Sequence, residues 1–280
     1  MLIRAGYDLT LRAFAPTPMI AMLNIRPERL SDLRTGQAIS TDRGVSMDHY
    51  HDTFGNFCSR MIMPPGVTTL SCDFVIEDEG VTDRQSPLAI QHEVTELPTD
   101  VLMYLFSSRY CDTEHLSNIA WGLFGHFPAG WQRVQAIVDF VHQHLTYGYQ
   151  YARPTRTAYE AYQERVGVCR DFAHLAVALC RCMNIPARYC SGYLGDIGIE
   201  PVPIPMDFHA WFEVYLSGEW HSFDARHRVP RIGRILMACG RDAADTALTT
   251  AFGSVQLIGF NVHTDEVSGE LIDQLHRMAA

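Results

Sequence analysis

Short runs of alternating apolar and polar residues dominate the first 95 residues of the chain. The segments "NFCSRMIMPPG" and "TTLSCDFVIED" show this alternation, and Gly, Pro and Asp lie between the runs. Alternation with a period of two, bounded by turn residues, is typical of half-buried strands. We therefore predict a β-rich, sandwich-like domain over residues 1–95.

The spacing of apolar residues becomes helical after Pro98. In "GWQRVQAIVDFVHQHL" one apolar stripe is formed by Val134, Ile137, Val138 and Val141. Strand patterns return after about residue 183, in "ARYCSGYL", "FHAWFEVYL" and "EWHSFDA". Because 280 residues exceed the roughly 150 residues of one domain, we predict an α+β chain with a second domain over residues 96–280.

Four of the eight cysteines lie close together in the sequence: Cys169, Cys180, Cys182 and Cys190. Structural zinc sites usually take their ligands from C-x2-4-C pairs, and the chain contains no C-x-x-C. On a helix over residues 170–183, Cys169 and Cys180 would lie roughly 16 Å apart, while Cys182 would face away. These four residues cannot bind one metal ion, and the last three are expected to be buried apolar residues.

Cys169 differs from the others because it opens the predicted helix, two residues after Gly167. Free backbone N–H groups and the positive end of the helix dipole stabilise a thiolate at such a position. The position makes Cys169 a candidate nucleophile. An inert buried cysteine at a helix start is the alternative, and the choice depends on a base and a residue that orients it.

The segment "DFHAWFEVYLSGEWHSFDARH" predicts a β-hairpin that supplies both residues. With Ser217 and Gly218 as the loop, Leu216 pairs with Glu219, and Asp224 lies opposite Trp211. His209 and Asp224 are then diagonal neighbours about 7–8 Å apart at the backbone, a distance that side chains can bridge. Each residue alone also has a structural explanation, as a strand histidine or a turn cap. The combination with Cys169 is more specific.

Charge and composition exclude several other classes of protein. The formal net charge of −10 disfavours nucleic acid and anionic lipid surfaces as partners. Arg4, Asp8 and Arg12 interrupt the N-terminal segment where a signal peptide would be apolar, and no apolar run approaches the ~18 residues of a membrane span. We therefore expect a cytoplasmic protein with reduced thiols.

Two further enzyme classes lack their motifs. A metal-dependent hydrolase is disfavoured because the chain has no H-E-x-x-H, and "DHYHD" at residues 48–52 has no second cluster at metal-ligand spacing. A serine hydrolase is disfavoured because G-x-S-x-G does not occur. We predict no metal and no cofactor.

The blocks "RVGVCRDFAHLAVALCRCMNIPARYCSGYL", "DFHAWFEVYL" and "WHSFDARH" resemble the transglutaminase-like cysteine enzymes over roughly residues 130–245. The resemblance implies a papain-like core, with helices packed on an antiparallel sheet. "RIGRILMACGRDAAD" is similar to a bacterial branch that carries a β-rich domain in front of this core. Carried over to this chain, the family triad implies Cys169 as nucleophile, His209 as general base and acid, and Asp224 as orienter.

The chain departs from the family pattern after two triad residues. Arg170 follows the nucleophile where this branch often has Gln, and Ala225-Arg226 follows the aspartate where many relatives have Pro-Thr. Both changes would alter the substrate surface without removing a triad member. Relatives that cleave glycan-asparagine bonds add zinc-binding C-x-x-C pairs, which this chain lacks, so that activity is disfavoured.

The expected reaction is acyl transfer on an amide or peptide bond through a thioester, most simply hydrolysis by a protease or amidase. Transamidation, and a non-catalytic interaction protein on the same fold, are the alternatives. The backbone N–H of Cys169 is the first expected oxyanion donor. Gln163, at a spacing that resembles the papain-type glutamine, and Tyr147 or Tyr149 are candidates for the second. The oligomeric state is not indicated by any motif.

Overall fold

The computed structural model describes residues 1–201 and 206–268. Within these residues the chain forms three four-stranded sheets, a two-stranded parallel sheet and four α-helices. The strand pairs of the larger sheets are antiparallel. This architecture confirms the predicted α+β class. None of the described helices is long and apolar enough to cross a bilayer; the cytoplasmic location stays a prediction.

Six strands occupy the predicted β-rich region: β1 Leu2–Ala13, β2 Thr17–Ala21, β3 Ser40–Thr41, β4 Met47–His51, β5 Phe57–Met63 and β6 Gly66–Glu77. Alternation decides which side chains are buried. In β1, for example, Ile3, Ala5, Leu9 and Leu11 are at most 4% exposed, whereas Arg12 points to solvent. The period of two in the sequence therefore matches the burial of the strands.

Helices and a short parallel strand pair follow: α1 Ser117–Phe124, α2 Trp131–His144, β7 Thr146–Tyr147, α3 Ala158–Glu164, β8 Val166–Gly167 and α4 Cys169–Cys182. The predicted apolar stripe of α2 is buried. At the start of α3, Thr157 Oγ1 accepts the backbone N–H of Glu160 at 3.3 Å, and Glu160 Oε2 accepts the backbone N–H of Thr157 at 3.0 Å. This capping box satisfies two donors that a helix start would otherwise leave unpaired.

The third large sheet contains β9 Ala187–Tyr193, β10 His209–Leu216, β11 Glu219–Phe223 and β12 Ile235–Gly240, in the order β11-β10-β9-β12. Phe212 and Val214 pack into the core formed with the helices. Tyr193 and Met237 pack instead into the core of the N-terminal strands. The sheet therefore lies between the helices and the N-terminal region, and β10 contacts α4 along its length.

The last two strands, β13 Thr249–Ala251 and β14 Val255–Val267, return to the N-terminal region. Strand β14 pairs with β1 in a sheet ordered β14-β1-β6-β3, and β13 pairs with β2 in a sheet ordered β13-β2-β5-β4. These sheets share one core, to which Leu9, Met19 and Phe74 contribute, so they form a sandwich. The division at residue 95 stays a prediction, but it assigned residues 249–267 to the second domain, and their pairing places them in the sheets of the first.

Candidate active site

The start of α4 is fixed by a buried carboxylate. Asp171, in the first turn, accepts the backbone N–H of Val168 at 2.9 Å and pairs with Nη1 of Arg156 at 3.0 Å. The side chains of Asp171 and Arg156 are 0% and 5% exposed. Because Val168 immediately precedes Cys169, this network holds the first residue of the helix in place.

The hairpin has the predicted register. Leu216 pairs with Glu219, and the ladder continues to Phe212 and Phe223. Ser217 and Gly218 have φ values of 50° and 84°, positive angles that match a two-residue turn suited to the right-handed twist of the strands. The prediction that Ser217 and Gly218 form the loop is therefore confirmed.

At the open end of this hairpin, Nε2 of His209 lies 2.7 Å from Oδ2 of Asp224. Oδ1 of Asp224 accepts the backbone N–H groups of Arg226 and His227, each at 3.0 Å, and Oδ2 also accepts from Nη2 of Arg234 at 3.1 Å. Burial raises the pKa of Asp224, but His209 and Arg234 outweigh that effect and hold it well below its usual range. The carboxylate is therefore ionised and fully hydrogen-bonded.

Cys169 lines the same cavity as His209. It packs against Ala210, the residue after His209. Burial, together with the charge of the Asp207 carboxylate, raises the pKa of the Cys169 thiol to about 12, although a hydrogen bond from the backbone N–H of Ala210 opposes the rise. The expected stabilisation of a free thiolate by the helix start does not dominate here, since desolvation penalises the charge more strongly. A base must remove the proton.

The cavity brings the predicted residues and several others together. It has a volume of about 100 Å³, is open to solvent, and is lined by Tyr147, Tyr149, Cys169, Leu194, Asp196, Met206, Asp207, Phe208, His209, Arg226 and His227. Asp224 lies behind His209, 5% exposed. Since Asp224 holds Nε2 of His209, the remaining ring nitrogen that can serve the cavity is Nδ1.

The candidates for a second oxyanion donor are placed very differently. Tyr147 lines the cavity, and the guanidinium of Arg226 stacks 3.8 Å from the centre of its ring. Gln163 is exposed on α3 and does not line the cavity, because Ala158 and Ala161 form the buried face of that short helix. An oxyanion role for Gln163 is therefore not supported by its position.

Comparisons with known proteins agree with this arrangement. Residues 125–225 match the family model of the transglutaminase-like superfamily, and this range contains the helix-opening cysteine and the whole hairpin. The predicted family is thereby confirmed.

Whole-chain similarity to a solved structure extends beyond the transglutaminase-like segment. A proposed cysteine protease from Cytophaga hutchinsonii is 29% identical, with a TM-score of 0.82 over 96% of this chain and 91% of that one. The periplasmic domain of TgpA from Pseudomonas aeruginosa is 16% identical, with a TM-score of 0.40 over 81% and 90% of the two chains. An uncharacterized protein of Mycobacterium leprae is 38% identical over 84 residues, which are 29% of this chain and 30% of that protein.

The other three cysteines of the transglutaminase-like segment confirm the expectation of buried apolar residues. Cys180 and Cys190 are 0% exposed, Cys182 is 8% exposed, and all eight thiols are free. Burial raises the pKa of the Cys182 thiol to about 12. These thiols are protonated and inert at neutral pH.

Among residues 1–201 and 206–268, one group of side chains has metal-ligand chemistry. Ligand atoms of His209, Asp224 and His227 lie within 4.8 Å of one another. The oxygens of Asp224 are already occupied by its hydrogen bonds, and Nδ1 of His227 accepts from Nη1 of Arg231 at 3.2 Å. Arg231 and Arg234 would also repel a cation. The surroundings of this trio therefore disfavour a metal ion.

Sequence reasoning missed Asp207 and His227 as cavity residues, and Arg234 as a partner of Asp224. Asp207 stands two residues before His209, so the strand period places both on one face once β10 is recognised. His227 could also have been found from the sequence, since it follows Asp224 within the turn. Arg234 had no local signal, because only the fold brings the start of β12 to the hairpin.

Proposed function

We propose that this protein is a cysteine-dependent acyl-transfer enzyme that hydrolyses amide or peptide bonds through a Cys169-His209-Asp224 triad. The observation that carries the proposal is the contact of 2.7 Å between His209 and the ionised Asp224, beside a cysteine that opens a helix in the same cavity. The transglutaminase-like family of residues 125–225 supports it. The similar Cytophaga hutchinsonii structure, described as a proposed cysteine protease, supports it as well.

The proposed first step is attack of Cys169 Sγ on the substrate carbonyl. Because burial keeps the thiol protonated, Nδ1 of His209 takes its proton as the bond forms. Asp224 accepts the Nε2–H of the ring and stabilises the imidazolium. The imidazolium then protonates the leaving amine, and a thioester remains on Cys169.

In the second step His209 takes a proton from water as the water oxygen attacks the thioester carbonyl. The C–S bond then breaks, the acid product leaves, and the imidazolium returns its proton to Sγ of Cys169. The cavity opens to solvent, so water reaches the acyl group. An amine acceptor would give transamidation instead. All 22 basic residues other than histidine are arginine, so the chain offers no lysine side chain as an acceptor, and the amine would come from another molecule.

The oxyanion of the tetrahedral intermediate needs donors aimed at it. The backbone N–H of Cys169 has no intrahelical partner because it stands at the first position of α4. Tyr147 and Tyr149 line the same cavity, and burial, with a hydrogen bond to Tyr147, raises the pKa of Tyr149, which keeps its phenol protonated. We propose one of these hydroxyls as the second donor.

The test uses a peptide library and a labelled primary amine, analysed by mass spectrometry. Wild-type protein should give cleaved peptides and a trapped thioester, and Cys169→Ala should give neither. Cys182→Ala is the matched control, because it makes the same change on the same helix outside the cavity. Asp224→Asn should lower the rate by about 10⁴ if it leaves His209 in the wrong tautomer.

The outcomes separate the alternatives. Amine adducts without cleavage would replace hydrolysis with transamidation. If Cys169→Ala and wild type gave the same products, the acyl-transfer proposal would be rejected in favour of a non-catalytic interaction protein. Tyr147→Phe and Tyr149→Phe identify the oxyanion donor, since removal of one donor costs about 10²–10³ in rate.

A further inference from the structure

A buried arginine lies behind the His209–Asp224 pair. Nη2 of Arg234 donates to Oδ2 of Asp224 at 3.1 Å, the same oxygen that faces His209. Nε of Arg234 donates to Oδ1 of Asp83 at 3.0 Å, and Nη2 donates to Oδ2 of Asp83 at 3.1 Å. The side chains of Arg234 and Asp83 are 8% and 12% exposed. One guanidinium therefore joins the buried carboxylate of Asp224 to the largely covered carboxylate of Asp83.

Asp83 lies in the segment that follows β6, and backbone hydrogen bonds hold it in place. Its backbone N–H donates to the carbonyl of Arg231 at 2.9 Å, and its Oδ2 accepts the backbone N–H of Arg231 at 2.9 Å. Thr82 and Ile232 form a β-bridge beside this contact. The segment around residue 83 is thus fixed to the loop that precedes β12, and Arg234 extends from the end of that loop.

The charges of these groups explain what Arg234 does for Asp224. A carboxylate that is 2% exposed is costly to keep ionised without a cationic partner. His209 supplies a cation only while it is protonated, whereas an arginine stays charged throughout a reaction cycle. Asp83 balances Arg234, so the three groups keep one net negative charge beside His209.

Geometry adds a second constraint. Oδ2 of Asp224 receives both Nε2 of His209 and Nη2 of Arg234, while Oδ1 receives two backbone N–H groups of the turn. The guanidinium also lies 5.0 Å from the centre of the Trp211 ring, on the strand that carries His209. Four donors leave the carboxylate no other orientation, so the imidazole keeps one tautomer.

We propose that Arg234 is a positioning residue for the triad, and that Asp83 holds Arg234 in position. The proposal rests on the proposed function, because it assigns Arg234 a role through Asp224 and His209. It also means that the segment after the N-terminal strands contributes to the active site without lining the cavity.

The experiment compares Arg234→Met, Arg234→Lys and Asp83→Asn with Arg241→Met. Arg241 is the matched control because it follows the other end of β12 and pairs with Asp245 at the surface, with a side chain 43% exposed. The first readout is the rate of Cys169 alkylation by iodoacetamide between pH 5 and 10. The second is ¹⁵N NMR of the histidine rings, which reports the tautomer of His209 without any substrate.

In wild type and Arg241→Met we expect His209 to carry its proton on Nε2 at neutral pH. Arg234→Met should lose this preference and slow alkylation at pH 7 by about tenfold or more, since misplaced catalytic groups cost rates of that order. Arg234→Lys keeps the positive charge but not the planar guanidinium that contacts both carboxylates, so its alkylation rate should lie between those of wild type and Arg234→Met. Asp83→Asn should show a smaller loss than Arg234→Met.

Two results would overturn the inference. The first is a lower urea midpoint for Arg234→Met with a wild-type tautomer and pH profile, which would make Arg234 structural only. The second is an equal loss in Arg241→Met. If Arg234→Met does not fold, the tautomer in Arg234→Lys and Asp83→Asn decides the matter. Failure of the proposed function would look different. If the His209 tautomer depends on Arg234 but the protein shows no acyl transfer, the positioning role of Arg234 stands and the proposed reaction is rejected.

Discussion

Removal of the Asp171 carboxylate should destabilise the protein more than most single substitutions. In Asp171→Ala, Arg156 would stay buried at 5% exposure and lose its fully buried partner. Breaking a buried ion pair from one side costs about 3–5 kcal/mol, and loss of the hydrogen bond to Val168 costs about 1 kcal/mol more. Arg156 keeps Glu164 at 3.0 Å as a second partner, so we expect the total to lie near about 4 kcal/mol.

Urea unfolding followed by tryptophan fluorescence measures this loss as a shift of the midpoint at constant slope. Asp171→Asn keeps an acceptor for the Val168 N–H and should lose about half as much. Asp48→Ala is the control, because the Arg60–Asp48 pair is 64% and 77% exposed and is worth less than about 1 kcal/mol. A loss below about 1 kcal/mol in Asp171→Ala would refute the argument that the substitution leaves the buried Arg156 without its main partner.

Two further predictions concern packing and pH. Gly192→Ala would place a Cβ 2.0 Å from the carbonyl oxygen of Ile235, so it should destabilise by about 1–3 kcal/mol or more, whereas Gly36→Ala has open space and should change the urea midpoint little. Burial holds the pKa of His174 well below its usual value, and that of His227 is lowered to about 3, so both are neutral in the folded state. Stability should therefore fall as pH drops below about 6.5, by up to about 1.4 kcal/mol per unit for each group. His174→Gln should show a shallower loss between pH 7 and 5, and an unchanged slope would contradict the assignment.

The hairpin could be predicted to the residue because its determinants are local. Two turn residues, Ser217 and Gly218, fix the pairing, and the period of two then carries His209 and Asp224 to one end. Cys169 was found for a similar reason, since a helix start is recognised from its immediate neighbours. Local rules of this kind fixed the candidate nucleophile, base and orienter without knowledge of the fold.

The features that sequence reasoning missed depend on contacts between distant residues. Asp83 and Arg234 are separated by 151 positions, and no period or turn connects them. The thiol pKa of Cys169 depends on burial, which a helix start alone does not reveal. The spacing of Gln163 from Cys169 suggested an oxyanion donor, but Gln163 lies on the exposed face of α3, opposite the face that is buried.

The pairing of β1 with β14 has a consequence for biosynthesis. Strand β1 leaves the ribosome about 250 residues before its partner, a delay of roughly 10–50 s at ordinary elongation rates. During that interval one edge of β1 lacks its final neighbour, and such edges invite pairing with other chains. The sandwich therefore closes only after the hairpin and α4 have been synthesised, and this non-local closure makes its completion a slow step of folding.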